Sequence, residues 1–230
     1  MNEEITEYYS SKRIVEISQG GYYKEKIEFM RAHLSRLKKV GSKIKILDVA
    51  CNDGYLTRIY SRYGEVMGID INKEAINKCS RRGLTCLHTD IHGLGEKYND
   101  YFDVVIAGDI IEHVFDTDTF LLEAKKKLKR KGVLLLTTAN LASFGRRLML
   151  LLGKNPFVEY SVRLPTEDSN CGHIRYYTLK DLNLQLEVLG FKDVKIYGDV
   201  INLAPSIYIP NIIAKHFPSL SRFFLVYCEK

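Results

Sequence analysis

Residues 46–54 read ILDVACNDG, an apolar run that carries one acid and then passes into a turn of small and polar residues. The apolar pattern extends back to Lys43 and predicts a strand over 43–49. The spacing that follows predicts a helix over 54–63. A strand that turns tightly into a helix leaves unpaired backbone N–H groups at the helix N-terminus, where ligands can bind.

The same alternation continues beyond this stretch. The pattern predicts strands over 65–69, 84–88, 102–107 and 132–138, with helices over 73–82 and 117–128. Residues 104–107 are uniformly apolar, as expected for a strand covered on both faces. We therefore expect an α/β fold with an open, mostly parallel sheet and helices on both faces.

The flanking segments add helices and two more strands. Residues 1–40 read as helix with a break at Gly20 and Gly21, and residues 140–170 are irregular. Thr178 begins a further helix, with Asp181 completing a capping-box type of cap, and Gly190 ends it. The last two strands are predicted over 191–197 and 223–228.

Composition excludes several classes of protein. With 46% hydrophobic and 27% charged residues in 230, the chain is too apolar for disorder and lacks collagen-like or coiled-coil composition. The five cysteines are scattered, with no CxxC pair and no zinc-finger spacing, so we expect reduced thiols, a cytoplasmic location and no metal site. The first residues, MNEEITEYYS, do not resemble a signal peptide, and the apolar run 148–152 is too short to span a membrane.

The net charge is +6, and six of the cationic residues crowd positions 125–131. A polyanion such as RNA or an anionic lipid surface is one interpretation. The favoured alternative is the solvated last turn of a helix, because an apolar face lies beneath the lysines. That face consists of Phe120, Leu121, Ala124 and Leu128.

An acid lies at or just past the end of each of the first four strands: Asp48, Asp70, Asp90 and Asp109. Ligands of open α/β sheets bind at these strand ends. A carboxylate at Asp70 can accept both hydrogen bonds of a ribose diol. Unpaired buried acids are costly, so the repeated placement indicates a binding site.

A dinucleotide site is the rival interpretation, and its fingerprint is GxGxxG. The corresponding positions here are Ala50, Asn52 and Tyr55, and Asp48 places negative charge beside any pyrophosphate. The same carboxylate suits an ammonium group. We therefore expect a ligand with a ribose and a cationic amino-acid end, and no NAD binding.

Four segments together resemble the class I S-adenosylmethionine-dependent methyltransferases of the small-molecule type, including the ubiquinone-biosynthesis O-methyltransferases. ILDVACNDGYLT resembles their first motif, LDVGCGxG, with Ala50 and Asn52 where the family usually has Gly. GID, ending in Asp70, resembles the second acidic motif, and FDVVIAGDIIEHV resembles the fourth. GHIRYYTLKDLNLQLEVLGF resembles the segment before the final strands.

The resemblance implies a Rossmann-like, seven-stranded sheet with an antiparallel last strand, and S-adenosylmethionine as cofactor with S-adenosylhomocysteine as product. The methionine portion is then held by Asp48 and the turn Ala50, Cys51, Asn52 and Gly54. Asp70 binds the ribose with Ile71 against the adenine, Asp90 meets the adenine amino group beside Ile91, and Asp109 borders the methionine end. One methyltransferase domain over 1–230 follows, with N-terminal helices (1–40), a cofactor-binding core (43–140), a lid or insertion (141–172) and a C-terminal part (173–230).

Methyl transfer to an oxygen needs a base, and His113 and His173 are the catalytic candidates. His113 follows the fourth strand, and His173 lies beside the segment expected to cover the site. The alternative is a structural role, in which His113 holds the loop after the fourth strand in place and His173 holds the covering segment in place by hydrogen bonds. Asp109 is a further candidate, whereas Glu112 is expected to be a loop or cap acid. Arg175 either binds a substrate anion or forms a structural ion pair.

The acceptor is expected to be a small molecule or a glycan- or lipid-linked intermediate, and nucleic acid is disfavoured. Residues 141–157 combine leucines with Arg146, Arg147 and Lys154, which fits a lid, an interfacial helix at a membrane or a homodimer contact. Tyr22 and Tyr23 either fold over the cofactor or pack ordinarily. An RNA methyltransferase and a non-catalytic cofactor-binding subunit remain the alternative functions.

Overall fold

The computed structural model describes residues 23–37, 43–157, 172–204, 207–209 and 211–230. The strands are β1 Ile44–Val49, β2 Gly64–Asp70, β3 Thr85–His88, β4 Phe102–Gly108, β5 Leu128–Ala139, β6 Lys192–Gly198, β7 Ile201–Ala204, β8 Ile207–Ile209 and β9 Phe223–Glu229. The helices are α1 Lys24–Leu37, α2 Tyr55–Tyr60, α3 Lys73–Arg81, α4 Thr117–Lys127, α5 Phe144–Leu151, α6 Leu179–Val188 and α7 Asn211–Ala214. Short 3₁₀ turns cover Glu96–Tyr98, Ile111–His113 and Pro218–Leu220.

Seven strands form one sheet in the order β3-β2-β1-β4-β5-β9-β6. Strands β1 to β5 pair in parallel, whereas β9 is antiparallel to both β5 and β6. This arrangement confirms the expected Rossmann-like sheet with an antiparallel last strand. The strand order reverses between β1 and β4, so the carboxyl ends of these two strands flank the crevice where such sheets bind ligands.

Hydrophobic clusters cover both faces of the sheet, as the apolar strands predict. Successive residues of a strand point to opposite faces, and Ile46 and Leu47 of β1 accordingly belong to different clusters. Met30 and Leu34 of α1 pack into the cluster of Ile46. This burial on both sides explains why the central strands lack polar alternation.

Side-chain caps fix the starts of three helices. The side chain of Asn72 accepts from the backbone N–H groups of Glu74 and Ala75, and that of Asp116 accepts from Thr119. Thr178 accepts from the N–H of Asp181 and confirms the predicted cap of α6. Such caps each contribute about 1 kcal/mol to helix stability.

Several predicted boundaries are wrong. Helix α4 ends at Lys127, and β5 begins at Leu128 rather than at 132, so half of the basic cluster lies on a strand. The hairpin of β7 and β8 and the helix α5 were not predicted. Of the helix expected over 1–40, the structure describes residues 24–37 as α1; residues 1–22, with the expected break at 20–21, and residues 38–40 lie outside the described part.

The expectation of reduced thiols is wrong for one pair of cysteines. Cys79 of α3 and Cys86 of β3 are joined as a disulfide, and their Cα atoms are 6.3 Å apart. Cys51 and Cys228 are free and buried, and Cys171 lies outside the described residues. Among the described residues, no helix has the length and apolarity required to cross a bilayer.

Candidate functional site

The turn after β1 is built from left-handed backbone. Ala50, Asn52 and Gly54 have φ angles of 59°, 49° and 79°, a region that glycine adopts without steric cost. The first two are the positions at which the sequence departs from the glycine-rich motif. Asn tolerates this conformation better than most residues. Ala has only a Cβ atom, so its steric conflict with the left-handed backbone is small. The departures therefore leave the shape of the turn intact.

Asp48 lies in β1 beneath this turn and is 5% exposed. The hydroxyl of Thr57 on α2 donates to its carboxylate at 2.6 Å. Burial raises the pKa of Asp48 to about 7, with a further rise from the charge of Asp70 and a reduction from the Thr57 hydrogen bond. A cationic ligand group would offset the cost of keeping this carboxylate ionised.

Asp70 ends β2 and faces the same turn. Its two carboxylate oxygens accept from the backbone N–H groups of Asn52, at 2.9 Å, and Asn72, at 2.8 Å. Burial raises the pKa of Asp70, while those hydrogen bonds oppose the rise. Each carboxylate oxygen retains a further lone pair, so Asp70 can still accept from a diol. Ile71 follows it, and its carbonyl oxygen lies 2.9 Å from the ring of His88.

Asp90 and Ile91 follow β3 at the same edge of the sheet. The carboxylate of Asp90 accepts from the N–H of Gly93 at 2.8 Å, which forms a turn. Ile91 is buried in the core cluster that contains Leu47 and Ile69. The contact of Asp90 and Ile91 with an adenine stays a prediction from the resemblance.

Asp109 follows β4 in a left-handed conformation, with φ 51°. Its carboxylate accepts from the hydroxyl of Thr137 on β5 at 2.8 Å and pairs with the ammonium of Lys26 on α1. No pattern in the sequence predicted that Lys26 reaches this edge of the sheet. All the predicted cofactor residues thus lie at the carboxyl ends of β1 to β4.

The two candidate histidines lie together. The ring centroids of His113 and His173 are 4.8 Å apart at an angle of 66°, although 60 positions separate them in the sequence. His113 Nδ1 lies 3.1 Å from the carbonyl oxygen of Gly172. A carboxylate oxygen of Glu112 and ring nitrogens of both histidines lie within 4.8 Å of one another.

Glu112 lies in the 3₁₀ turn after β4, where a loop acid was expected, but its side chain is buried. It is 2% exposed, and its carboxylate accepts from the hydroxyl of Thr138 at 2.8 Å. Burial, and then the charge of Asp109, raise the pKa of Glu112 to about 7. The carboxyl of Glu112 therefore lies beside two imidazole rings, whose nitrogens can donate or accept a hydrogen bond. They are also ligand types that divalent cations accept, although the sequence pattern predicted no metal site.

Backbone hydrogen bonds hold the segment that carries His173 against the turn that carries Glu112 and His113. The N–H groups of Ile174 and Arg175 donate to the carbonyl oxygen of Glu112 at 2.9 and 3.1 Å. The guanidinium of Arg175 donates to the carbonyl oxygen of Phe115 and lies 5.1 Å from the centroid of its ring. Arg175 therefore attaches the segment that begins at residue 172 to the loop between β4 and α4.

The basic cluster 125–131 makes mostly internal contacts. Lys125 donates to the carbonyl oxygens of Leu189 and Gly190, and Lys127 is buried against Gly95 and Asn99. Lys126 and Lys129 pair with Glu123 and Asp103. Four of the six cations are thus engaged within the protein, which does not favour a polyanion site.

A sequence profile for a family described as "Methyltransferase domain" matches residues 22–196, well over half of the chain. The matched region contains the carboxyl ends of β1 to β4 and the candidate site residues that follow them. The chain belongs to the class I S-adenosylmethionine-dependent methyltransferase family. The suggested resemblance is therefore confirmed.

Relatives and solved structures agree with this membership. A ubiquinone biosynthesis O-methyltransferase of Pelagibacter ubique is 34% identical over 104 residues, which cover 42% of each chain. The chain thus spans less than half the length of that relative. A SAM-dependent methyltransferase from Archaeoglobus fulgidus has the same fold, with a TM-score of 0.60 and 18% identity over 92% of this chain and all of that one. The plantazolicin methyltransferase BpumL, solved with S-adenosylhomocysteine, has a TM-score of 0.62 and 13% identity over 99% of this chain and 90% of that one.

The cofactor of the family, S-adenosylmethionine, fits the donor set of this site. Carboxylates at Asp48 and Asp70 suit an ammonium group and a ribose diol, and they oppose a pyrophosphate. The small turn from Ala50 to Gly54 lets backbone approach a ligand closely. The cofactor supplies an activated methyl group when bound.

Sequence reasoning missed two features of the site. The contact of Lys26 with Asp109 joins residues 83 positions apart, and no local pattern marks it. The enclosure of Glu112 could have been suspected, because it lies between two apolar residues and a histidine in IIEHV. The site of Tyr22 lies outside the described residues, and the ring of Tyr23 lies 5.6 Å from the ammonium of Lys26.

Proposed function

We propose that the protein transfers a methyl group from S-adenosylmethionine to a hydroxyl oxygen of a small molecule or of a glycan- or lipid-linked intermediate. The observation that carries the proposal is the group formed by Glu112, His113 and His173, next to the cofactor residues at the ends of β1 and β4. A hydroxyl nucleophile must lose a proton during transfer, and a neutral imidazole near it can accept that proton.

The two histidines and Glu112 have different roles in this proposal. His113 or His173 takes the proton from the acceptor hydroxyl at a ring nitrogen. The buried carboxyl of Glu112, with its pKa raised to about 7, stabilises the resulting imidazolium when ionised. The bonds from Ile174 and Arg175 to Glu112 hold the rings in place before the acceptor arrives. Such preorganisation aligns the reacting groups and excludes water.

Transfer to oxygen is also supported by the relatives whose names specify O-methyltransferases, including the one from Pelagibacter ubique. A nitrogen or carbon acceptor does not require a base of this kind. An RNA acceptor is less well supported, since most of the basic cluster pairs within the protein. A non-catalytic subunit would need the cofactor residues but not the buried acid and two histidines.

Helix α5 supports a lipid-linked acceptor. Leu150, Leu151 and the following Leu152 are 66%, 82% and 63% exposed, while Arg146 on the same helix is half-buried. Exposed leucines beside Arg147 and Lys154 suit contact with an anionic lipid surface. We therefore favour peripheral membrane contact over the lid expected for 141–157; a homodimer contact would use the same face. Residues 158–171 of the expected lid lie outside the described part of the chain.

The function is tested by incubating the protein with methyl-labelled S-adenosylmethionine and separate aqueous and lipid extracts of cells. We expect label in a product that mass spectrometry identifies as the methyl ether of a hydroxyl group. The matched control is the variant Asp48→Asn, which should transfer much less label when the cofactor is kept below saturation. Label in RNA, or cofactor binding with no labelled product from any extract, would contradict the proposal.

Vesicle binding tests the proposed membrane contact of α5. Sedimentation with vesicles of phosphatidylglycerol and phosphatidylcholine should carry the protein down, and the double variant Leu150→Ser with Leu151→Ser should remain in the supernatant. Val188 on α6 is 75% exposed, so Val188→Ser is the matched control and should still bind vesicles. Equal behaviour of both variants would contradict lipid contact through α5. A dimer that the double variant dissociates would support the homodimer instead.

A further inference from the structure

Three cysteines from three elements meet beneath the cofactor turn. Cys51 belongs to the turn itself, Cys79 to α3 and Cys86 to β3, and their sulfur atoms lie within 4.8 Å of one another. Cys79 and Cys86 are joined, whereas Cys51 is a buried free thiol. The methyl-transfer chemistry proposed above uses none of these sulfur atoms.

The sulfur atoms pack directly on the backbone that shapes the cofactor site. A Cβ built on Gly54 would lie 2.6 Å from the sulfur of Cys79. A Cβ built on Gly68 would lie 2.7 Å from the sulfur of Cys51 and 3.3 Å from that of Cys86. Movement of either disulfide partner therefore bears on the turn after β1 and on the strand that ends in Asp70.

The loop closed by the disulfide carries a second contact to the turn. Arg82 lies inside the loop 79–86, and its guanidinium donates to the carboxylate of Asp53 at 2.6 Å. Asp53 is buried, and its other oxygen accepts from the N–H of Tyr55 at the start of α2. The disulfide thus restrains the loop from which Arg82 holds the cofactor turn.

Solvent reaches the disulfide of Cys79 and Cys86 from the side of Cys86. β3 is an edge strand of the sheet, and Cys86 on it is half-buried, whereas Cys79 is fully buried. A reagent in solution therefore meets Cys86 first. Burial, and then the charges of Asp48 and Asp70, raise the pKa of the Cys51 thiol, which keeps it protonated and out of the exchange.

We propose that Cys79 and Cys86 are a reversible redox modification site, closed by a hydroperoxide and opened by a dithiol, and that the closed form binds the cofactor more tightly. The coupling rests on the proposed function, since it requires S-adenosylmethionine in the adjacent site. The disulfide restrains Arg82 against Asp53, and this contact links the redox state of the cysteines to the shape of the cofactor site.

The closing reaction balances with one peroxide. The thiolate of Cys86 attacks one peroxide oxygen, the O–O bond breaks, the alcohol or water leaves, and Cys86 becomes a sulfenic acid. The thiolate of Cys79 then attacks that sulfur, the S–S bond forms, and the oxygen leaves as water. A dithiol reverses the change by two successive exchanges, becoming a disulfide itself while both cysteines return to thiols.

Peptide mapping of the intact protein tests the site itself. The protein is treated with hydrogen peroxide or with dithiothreitol, its remaining thiols are alkylated, and it is digested with trypsin. The chain can be cut after Lys78, Arg81, Arg82 and Lys97, so the oxidised form should give residues 79–81 linked to residues 83–97. We expect this linked pair after peroxide and two alkylated peptides after dithiothreitol. Its absence after peroxide would overturn the redox site.

Titration with S-adenosylhomocysteine tests the coupling. We expect the oxidised form to bind roughly fivefold more tightly than the reduced form, and to unfold at a temperature on the order of 5 °C higher. Cys86→Ser should bind like the reduced form under both conditions. Cys228→Ser, a buried thiol elsewhere in the core, should keep the full redox difference.

A further variant tests the route through Arg82. Arg82→Gln should still give the linked peptides while losing the redox difference in affinity, and a retained difference would contradict this route. Equal affinities of the oxidised and reduced wild-type protein would overturn the coupling. If neither form binds S-adenosylhomocysteine, both the proposed function and the coupling are contradicted. The peptide map tests the redox site independently of that result.

Discussion

The ammonium nitrogen of Lys26 lies 2.5 Å from a carboxylate oxygen of Asp109, which is 83 positions further along the chain. The Lys26 side chain is 6% exposed and that of Asp109 is 29% exposed. The ammonium also lies 3.6 Å from the centroid of the Phe223 ring on β9. This pair attaches α1 to the end of β4, so the N-terminal helix forms one wall of the candidate site.

Replacing Lys26 by Met should destabilise the protein by about 2 kcal/mol. Removing one partner of a buried ion pair costs about 3–5 kcal/mol, and the partial exposure of Asp109 reduces that cost. Urea unfolding measures the change. Lys24 is exposed on the same helix, and Lys24→Met should leave the free energy of unfolding nearly unchanged. Equal effects of the two substitutions would show that the pair with Asp109 does not stabilise the fold.

The affinity for S-adenosylhomocysteine should fall as the pH is lowered from 8 to 6. Burial raises the pKa of Asp48 to about 7, and the ligand's ammonium favours the ionised carboxylate. Below pH 7 a proton competes with the ligand, so affinity should approach a loss of about tenfold per pH unit. Calorimetry over this range measures it. Asp48→Asn should bind more weakly with a flat profile, and parallel profiles of the two proteins would assign the pH dependence to another group.

Glu112→Gln should stabilise the protein at pH 8 by about 1–3 kcal/mol. The pKa of Glu112 is raised from 4.5 to about 7 by burial first. Between these values the folded state holds a proton that the unfolded state has lost, so wild-type stability falls as pH rises through this window. Gln keeps the bond from Thr138 without the charge.

Urea unfolding at pH 5 and pH 8 tests this prediction. The gain from Glu112→Gln should be present at pH 8 and small at pH 5, where the wild-type carboxyl is protonated in the folded state. The exposed Glu96 provides the control, and Glu96→Gln should show no such difference. A variant less stable than wild type at pH 8 would mean that the ionised carboxylate of Glu112 is stabilised within the fold.

His113→Ala or His173→Ala should lower turnover on the acceptor by about 10²- to 10⁴-fold, the usual contribution of a general base. Binding of S-adenosylhomocysteine should stay nearly unchanged, because neither ring is assigned to the nucleotide. Single-turnover kinetics and calorimetry on the same variants separate the two effects. A loss confined to cofactor affinity would make that histidine a structural residue, and full turnover in both variants would favour a carbon or nitrogen acceptor.

The parts of the fold that follow from local pattern could be predicted from the sequence. The strand ends at Asp48, Asp70 and Asp109 were placed correctly because buried parallel strands read as apolar runs that stop at an acid. The capped start at Thr178 was predicted because a cap is set by residues three positions apart. The β5 boundary failed because Leu128 and the basic residues after it continue the helical pattern, while pairing of Leu128 with Phe102 sets the strand.

The remaining features depend on contacts between distant residues. Lys26 reaches Asp109, and His113 reaches His173, only when α1 and the segment from 172 fold against the end of β4. The spacing of Cys79 and Cys86 matches no redox or metal motif, and the turn between α3 and β3 brings the two together. Such contacts leave no periodic signal in the sequence.

Titration of the protein with S-adenosylhomocysteine, compared with Asp70→Ala, tests the central claim most directly. The wild-type protein should bind one equivalent in the micromolar range. Asp70→Ala should bind roughly 10- to 150-fold more weakly, because it loses charge-assisted hydrogen bonds worth about 1.5–3 kcal/mol. Glu65→Ala, exposed near the opposite end of the same strand, should bind like wild type. No saturable binding by the wild-type protein, or equal affinity in Asp70→Ala, would contradict the assignment of this edge of the sheet as the cofactor site.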